Sequence, residues 1–332
     1  MMKTKWSIVS LLFVVICFVS NSATAQAPVL ADQGYTGGSI PELVKKPNAL
    51  HFLVMGDWGR NGENHQKEVA ASMGRAAHDL EASFIIATGD NFYPRGVQST
   101  QDYHWISSFE SIYTAHSLYE KWHPVLGNHD YGTNPDAQVQ YSKISSRWDM
   151  PARYYTKTYR ADTSSALFVF LDTDPMEKLL RGDKPDGSKY DSTYLAKELN
   201  WLDSVLRSSK ARWKIVVGHH PLYTGGWRKD TKETQRLRST LEPMFAKYKV
   251  AAYICGHEHH QELIVPTGAT TYYISGAASE SRLVNGYPDL TKFKSSDQGY
   301  MACSITANSL FVQFINFQDK ILFSYEQKII NN

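Results

Sequence analysis

Five short clusters of Asp, Asn, His and Tyr are the part of this sequence that can carry out chemistry. In chain order their members are Asp57, Asp90, Tyr93, Asn128, His129, Asp130, His219, His220, His257, His259 and His260. Carboxylate, imidazole and amide oxygen are the ligands that hard and borderline divalent or trivalent metals prefer. The two cysteines beyond residue 25 are too few to form a competing set. The pattern therefore predicts a metal site.

Each of these clusters directly follows a short apolar run, and glycine stands at the junction. The runs span residues 51–55, 84–88, 123–126, 213–217 and 250–255. Four to six apolar or β-branched residues bounded by glycine are typical of a buried strand. A glycine at the strand end lets the backbone turn sharply and approach a ligand closely. One Gly-Asp or Gly-His pair more often marks a turn, so it is the repetition that predicts a site.

The elements between these runs predict an α/β fold. Helix-like stretches at 63–80, 193–208 and 232–247 alternate with the strands, which favours parallel pairing. In open α/β sheets, ligand sites lie beyond the carboxyl ends of strands, where the polar clusters fall. The C-terminal third is different, because residues 270–274, 299–305, 310–317 and 321–327 are β-rich with short turns. We expect two packed mixed β-sheets flanked by helices, in one domain over residues 49–332.

Three segments are expected to lack regular structure. Residues 26–48 are rich in Pro and Gly and predict an irregular lead-in to the domain. Residues 181–189 and 281–297 are predicted to be exposed loops.

The clusters resemble the motifs of the calcineurin-like metallophosphoesterases and, within them, of the small, tartrate-resistant type of purple acid phosphatase. The superfamily pattern is Asp-x-His, Gly-Asp, Gly-Asn-His-Asp/Glu, a lone Gly-His and Gly-His-x-His. Here Gly59 replaces the first histidine, and Tyr93 follows Asp90 by three residues. That exchange of histidine for tyrosine separates purple acid phosphatases from their relatives. The motifs cover residues 53–261, and the resemblance implies an α/β/β/α sandwich.

The resemblance also implies a dinuclear metal centre in which Asp90 bridges the two ions. The other ligands would be Asp57, Tyr93 and His259 for Fe(III), and Asn128, His219 and His257 for a second, divalent metal, which is Fe, Zn or Mn. A phenolate is a hard anionic donor that stabilises Fe(III), whereas amide and imidazole leave the second metal divalent. A bridging carboxylate holds two metals about 3.5–4 Å apart, the separation used in two-metal hydrolysis.

The implied reaction is hydrolysis of phosphomonoesters by a hydroxide held on the metal pair. The departing alkoxide needs a proton or a positive neighbour. His129 matches a catalytic histidine of the family, and His220 is a second candidate for the proton donor. Asp130 and Arg228 are predicted to lie next to the metal ligands without binding a metal themselves. The sequence departs from the family over residues 222–228, where one or two further histidines are often found and this chain has none.

The composition and net charge of the chain limit the classes of molecule that it is expected to bind. Hydrophobic residues make up 42% of the 332 residues and charged residues 20%, which excludes a disordered chain. Lys and Arg number 35 against 33 Asp and Glu, a formal net charge of +2. Removal of the first 25 residues, with Lys3 and Lys5, leaves 33 of each sign and a net charge of zero. We therefore expect phosphate-ester small molecules as partners, with no nucleic acid and no membrane.

The start of the chain predicts export. Lys3 and Lys5 precede an apolar run over residues 6–19, and Ala23-Thr24-Ala25 follows. This is the pattern of a secretory signal peptide over residues 1–25, and the apolar run falls short of the roughly 18 residues of a membrane span. The expected location is periplasmic or secreted. The pairing of Cys255 and Cys303 is undetermined at this stage, with two buried free thiols as the simpler alternative.

Two alternative functions stay open. A phosphodiesterase or nucleotidase of the same superfamily would use the same metals, although Tyr93 argues against it. A secreted metal- or phosphate-binding protein with an inactive centre is the second alternative. All seven matched positions carry side chains that can bind metal, which argues against an inactive centre.

Overall fold

The computed structural model describes residues 37–187, 189–268 and 270–329. Two mixed sheets lie between layers of helices, as expected. The strands are β1 Leu50–Met55, β2 Phe84–Ala87, β3 Lys121–Pro124, β4 Tyr155–Ala161, β5 Ser164–Phe170, β6 Trp213–Val217, β7 Ala252–Cys255, β8 Gln261–Ile264, β9 Thr271–Ser275, β10 Thr291–Ser295, β11 Gly299–Ile305, β12 Ser309–Asn316 and β13 Ile321–Lys328. The helices are α1 Gln66–Leu80, α2 Asp136–Tyr141, α3 Thr173–Arg181, α4 Tyr194–Ser208 and α5 Lys232–Tyr248.

The order of strands places the motif-bearing strands next to one another within each sheet. The first sheet has the order β13-β12-β11-β1-β2-β3, and the second has β10-β8-β9-β7-β6-β5-β4. β1, β2 and β3 pair in parallel, as do β5, β6, β7 and β9. β11, β12 and β13 continue the first sheet as an antiparallel meander. Parallel pairing places the carboxyl ends of neighbouring strands at one edge of each sheet, which is where the polar clusters emerge.

The two sheets pack face to face over an aromatic interior. Phe52 of β1 stacks on Phe84 of β2 with ring centroids 5.0 Å apart. Phe168 of β5, in the other sheet, meets Phe52 edge to face at 5.3 Å. All three rings are fully buried. Such contacts contribute beyond the area that they remove from water, so this interior fixes the distance between the sheets.

The helices form the outer layers. α1 buries Val69, Met73 and Leu80 against the first sheet. α3, α4 and α5 pack on the second sheet, where Leu241 of α5 is fully buried in a cluster with Tyr253 of β7. The burial of one stripe of each helix matches its apolar spacing and accounts for the sandwich.

The predicted strands and the three predicted helices are present, and several elements were missed. The prediction of a loop over residues 281–297 is wrong, because Thr291–Ser295 forms β10 at the edge of the second sheet. Its two lysines, Lys292 and Lys294, are usual for an edge strand, because charge protects such a strand from further pairing. The missed strands are β4, β5 and β8, and the missed helices are α2 and α3. Short single turns of helix also occur at Trp105–Glu110, His116–Leu118 and Asp130–Gly132.

The predictions for the N-terminal segment and for the two cysteines have different outcomes. The signal peptide and residues 26–36 of the lead-in lie outside the described residues, so those predictions stay predictions. Within the described part of the chain, we find no helix with the length and apolar character that crossing a membrane requires. Cys255 and Cys303 are buried free thiols, which was the simpler of the two alternatives.

Replacing Leu241 with alanine tests the outer layer of the sandwich. Leu241 is fully buried between α5 and the second sheet, so Leu241→Ala removes apolar contacts and leaves a cavity. We expect the free energy of unfolding to fall by about 2–5 kcal/mol in denaturant titrations. Leu283 is 88% exposed, and Leu283→Ala is the matched control that should change stability by less than about 0.5 kcal/mol. Equal stabilities of the two variants would contradict this packing.

Candidate metal centre

Loops from both sheets converge at the carboxyl ends of their strands to form the site. Three of the residues there have left-handed backbone conformations that side chains rarely adopt: φ is 59° at Asp57, 48° at Asp90 and 69° at His257. Such positions cost about 1–3 kcal/mol each and occur mainly at functional sites. A Cβ atom at Gly127 would overlap Asp90 Oδ1, and one at Gly256 would overlap Asp57 Oδ2. The two glycines therefore leave room for the carboxylates.

Three ligand atoms surround the hydroxyl of Tyr93 and form with it a first group of four. That hydroxyl lies 3.2 Å from Asp57 Oδ1, 3.0 Å from Asp90 Oδ2 and 3.1 Å from His259 Nε2. His259 Nε2 is in turn 3.5 Å from Asp57 Oδ1. All four side chains are at least 96% buried. The sequence-predicted ligands of the ferric ion are thus brought together.

A second group of ligand atoms lies on the other side of Asp90. His219 Nε2 is 3.3 Å from Asn128 Oδ1, 3.0 Å from His257 Nδ1 and 3.5 Å from Asp90 Oδ1. Asp90 therefore presents one carboxylate oxygen to each group. This is the arrangement expected of a carboxylate that bridges two metals.

The placement of hydrogens in the second group leaves lone pairs that can bind a cation. Thr88 carbonyl oxygen can only accept, so His219 Nδ1, 2.8 Å away, donates to it. In the neutral imidazole, the bare lone pair of Nε2 then faces the Asn128 and Asp90 oxygens, which are also electron-rich. His257 Nδ1, 3.0 Å from His219 Nε2, carries one hydrogen at most and can satisfy only one of these three acceptors. A metal ion satisfies all three.

The electrostatics of these ligand residues also require positive charge. Burial opposes protonation of His219, but the carboxylates of Asp90 and Asp57 raise its pKa above its ordinary value. For Tyr93, burial and then Asp90 and Asp57 raise the pKa of the phenol far above its usual range, against the opposing charge of Arg60. Its phenolate therefore requires a cation bound directly to the oxygen. The residues present fit a metal pair.

His129 lies at the open side of the first group. Its ring packs on that of Tyr93 with centroids 4.4 Å apart, and its side chain is 37% exposed. Its Nδ1 donates to the carbonyl oxygen of Pro94 at 2.6 Å, so Nε2 is left as the basic nitrogen. Nε2 is 3.9 Å from Asp90 Oδ2. The structure places this imidazole where it can exchange a proton next to the ligands.

Asp130 does not face the ligand atoms and instead organises the loops that carry them. Its buried carboxylate accepts hydrogen bonds from the backbone N–H groups of Gly127 (2.8 Å), Asn91 (3.1 Å) and Phe92 (3.2 Å). The amide of Gln138 also donates to it, at 2.8 Å. Burial and Asp90 raise the pKa of Asp130 to about 7. The residue therefore ties the loop after β2 to the loop after β3.

His220 and Arg228 lie beside the second group rather than in it. The ring of His220 packs at a tilt against that of His257, with centroids 4.3 Å apart. Burial and His219 lower the pKa of His220 well below its ordinary value. Arg228 Nη1 donates to Glu258 at 3.0 Å. This ion pair holds the Glu258 carboxylate on Arg228. His260, the remaining residue of the clusters, pairs with Glu262 at 3.0 Å and is not close to either group.

Sequence reasoning missed Thr173 and Arg60, which hold the site together. Thr173 Oγ1 accepts from the backbone N–H groups of both His219 and His220, each at 3.1 Å. The guanidinium of Arg60 lies 3.6 Å from the centre of the Tyr93 ring. Thr173 follows a strand in the same way as the five clusters do, but no glycine marks the junction. Arg60 directly follows the first cluster, which was the available signal.

The chain matches the calcineurin-like phosphoesterase family over residues 50–261. It is 35% identical to purple acid phosphatase 17 of Arabidopsis thaliana over 85% of this chain and 85% of that protein. It is 30% identical to tartrate-resistant acid phosphatase type 5 of Homo sapiens, over 83% of this chain and 90% of that one.

Among solved structures, GAP50, described as the anchor in the inner membrane complex of Plasmodium, has the same fold. The match has a TM-score of 0.75 at 24% identity and covers 85% of this chain and 90% of that one. The sequence matches, which carry more weight, agree with the ligand geometry described above. The chain therefore belongs to the purple acid phosphatases of the calcineurin-like phosphoesterase family and is a metal-dependent phosphoric monoester hydrolase.

Proposed function

We propose that this protein is a secreted acid phosphatase that hydrolyses small phosphomonoesters with an Fe(III) ion and a divalent metal. The observation that carries the proposal is the pair of unequal ligand groups that share Asp90. The phenol of Tyr93 belongs to one group only, with its oxygen 3.0 Å from Asp90 Oδ2. The divalent metal is Fe, Zn or Mn.

The difference in charge between the two groups supports two different ions. The first group combines the carboxylates of Asp57 and Asp90 with the phenol oxygen of Tyr93 and only one imidazole. Hard anionic oxygens favour a trivalent ion. The second group combines neutral donors from Asn128, His219 and His257 with a single carboxylate oxygen. Neutral nitrogen donors suit a borderline divalent ion.

When bound, the metal pair neutralises the phosphoryl group and activates water for in-line attack on phosphorus. The protein's own part is to hold the ester in line and to protonate the departing alkoxide. His129 is suited to the second task, since the Pro94 carbonyl fixes its ring and leaves Nε2 to exchange a proton. His220 is less suited, because burial keeps its imidazole neutral. Arg228 is already paired with Glu258.

The neutral mature chain supports small phosphate esters as substrates. Residues 26–332 contain 33 basic and 33 acidic side chains, so no electrostatic attraction favours nucleic acid. Export rests on the signal-peptide pattern of residues 1–25.

Replacing Tyr93 with phenylalanine tests the assignment of the ferric ion. Tyr93→Phe removes one anionic donor, so we expect the visible phenolate-to-iron absorption band of the purified protein to disappear and its iron content to fall. Release of phosphate from an aryl monoester should fall at least about tenfold. Tyr103 is 74% exposed, and Tyr103→Phe is the matched control that should keep colour and activity. An unchanged band in Tyr93→Phe would refute the ligand set.

Replacing His129 with alanine tests the proton donor. Because a poor leaving group needs the proton more, we expect the kcat for an alkyl phosphate to fall about 10²–10⁴-fold and that for p-nitrophenyl phosphate to fall much less. The metal content should not change. The control is His116→Ala, which replaces an exposed histidine. An equal loss with both esters would exclude His129 as the donor.

Export is tested by the N-terminus of the mature protein. Expression of the full chain in a bacterial host should yield extracytoplasmic protein that begins at Gln26, because cleavage follows Ala25. Intact-mass measurement of the secreted or periplasmic fraction provides the readout. Retention of residues 1–25 on cytoplasmic protein would contradict the proposed location.

A further inference from the structure

A cavity of about 290 Å³ adjoins the second ligand group and has no role in the proposal above. Asn128 and His257 form the side of the cavity that belongs to the metal centre. Its outer wall consists of residues from α3, α5 and the loop before α5: Asp174, Glu177, Lys178, Arg181, His220, Arg228 and Glu233. A phosphoryl group held at the metal centre would direct part of its ester into this space. The volume lies at the lower end of the roughly 300–1,000 Å³ range for ligand pockets, which suits a small leaving group.

Carboxylates outnumber positive side chains around this cavity. The positive charges are those of Lys178, Arg181 and Arg228. Three carboxylates line the cavity with them, and Asp183 and Glu258 bind two of the cations from outside. Five carboxylates against three cations give a formal charge of about minus two.

Each of the three cations already has a close partner. Lys178 Nζ is 2.7 Å from Asp174 Oδ2. Arg228 Nη1 is 3.0 Å from Glu258 Oε1. Arg181 Nη2 is 2.5 Å from Asp183 Oδ2. The positive side chains are therefore not available to bind a second phosphate group.

Two buried carboxylate oxygens of residues that line this cavity have no hydrogen bond among the described residues. They are Asp174 Oδ1 and Glu177 Oε1, from side chains that are at least 95% buried. Arg181 Nη1 lies 3.5 Å from Glu177 Oε1, which gives charge attraction without a hydrogen bond. A buried acceptor that lacks a donor is costly. The outer wall therefore offers two carboxylate oxygens that lack a positively charged N–H donor.

The hydrogen positions around His220 favour an organic cation over a third metal. Glu177, His220 and Glu233 offer ligand atoms within 4.8 Å of one another. However, Thr173 Oγ1 accepts two backbone N–H groups, so its own hydrogen is directed at His220 Nδ1, 3.0 Å away. We therefore assign the ring hydrogen to Nε2, which leaves His220 without a lone pair for a metal.

We propose that this cavity binds the leaving group of a phosphomonoester that carries a protonated amine, with Glu177 as its principal partner. The substrate class is the small alkylammonium phosphates, in which a few carbon atoms separate the ester oxygen from the nitrogen. The inference rests on the proposed phosphatase activity and adds the substrate class to it. Asp174 is the second acceptor for the ammonium group.

The experiment compares O-phosphoethanolamine with n-propyl phosphate, in which a methyl group replaces the ammonium. Burial and Glu233 raise the pKa of Glu177 to about 7, so the assays are run about one pH unit above that value. We expect the kcat/KM of the wild-type protein for the ammonium ester to exceed that for the neutral ester about ten- to hundredfold.

The Glu177→Gln variant removes the charge and keeps the shape of the side chain. We expect the ratio of the two kcat/KM values to fall about tenfold or more. Glu177→Asp should retain part of the preference. Glu68 is an exposed residue of α1, so Glu68→Gln is the matched control that leaves both rates unchanged.

Three outcomes decide against the inference. A wild-type protein with no preference for the ammonium ester overturns it, whether or not the variants fold. A preference that Glu177→Gln retains in full overturns it as well. A third equivalent of metal in the wild-type protein that Glu177→Gln lacks would show an inorganic cation in its place. If the metal-loaded protein hydrolyses neither ester nor an aryl phosphate, the proposed function itself fails.

Discussion

The Asp90 carboxylate is only 2% exposed, and it points one oxygen at each of two groups of electron-rich atoms. Removing charged groups from water costs several kcal/mol per ion unless an opposite charge compensates. Asp57 is buried beside it, and no lysine or arginine contacts either carboxylate within 4 Å among the residues that the structure describes. The raised pKa of His219 shows the same demand for positive charge. The arrangement of side chains around Asp90 is therefore explained by a binding site for two cations.

The ligands of this site come from two sheets rather than one. β1, β2 and β3 deliver the carboxylates and Asn128 from the first sheet, whereas β6 and β7 deliver the histidines from the second. Left-handed φ angles at Asp57, Asp90 and His257 strain the backbone at the meeting point. The aromatic interior between the sheets and the network around Asp130 hold these loops in place. The stability of the sandwich thus balances the local strain at the centre.

The sequence predicted the ligand-bearing strands because each has the same local signature, an apolar run that ends at glycine and a polar residue. Thr173 was missed since β5 passes into α3 through Leu171-Asp172-Thr173 with no glycine. β10 was missed because lysines interrupt its apolar pattern, as they do in many edge strands. Glu177 and Glu233 could not be predicted as neighbours, since they lie on different helices and only the packing of α3 on α5 brings them together.

The metal ligands and the outer wall of the cavity lie on different kinds of structural element. This difference explains why the sequence departs from the family at the outer wall and not at the ligands. The ligands follow buried strands in strained turns, where a substitution disturbs both the backbone and the metal. The residues of the outer wall lie on helix faces and a loop, where side chains can change without altering the strands. The stretch after His219 lacks the family's further histidines and instead carries Trp227, which is 67% exposed, and Arg228, which is bound to Glu258. Since the proposed leaving-group cavity lies at that end, its carboxylates are expected to set substrate preference without changing the chemistry at phosphorus.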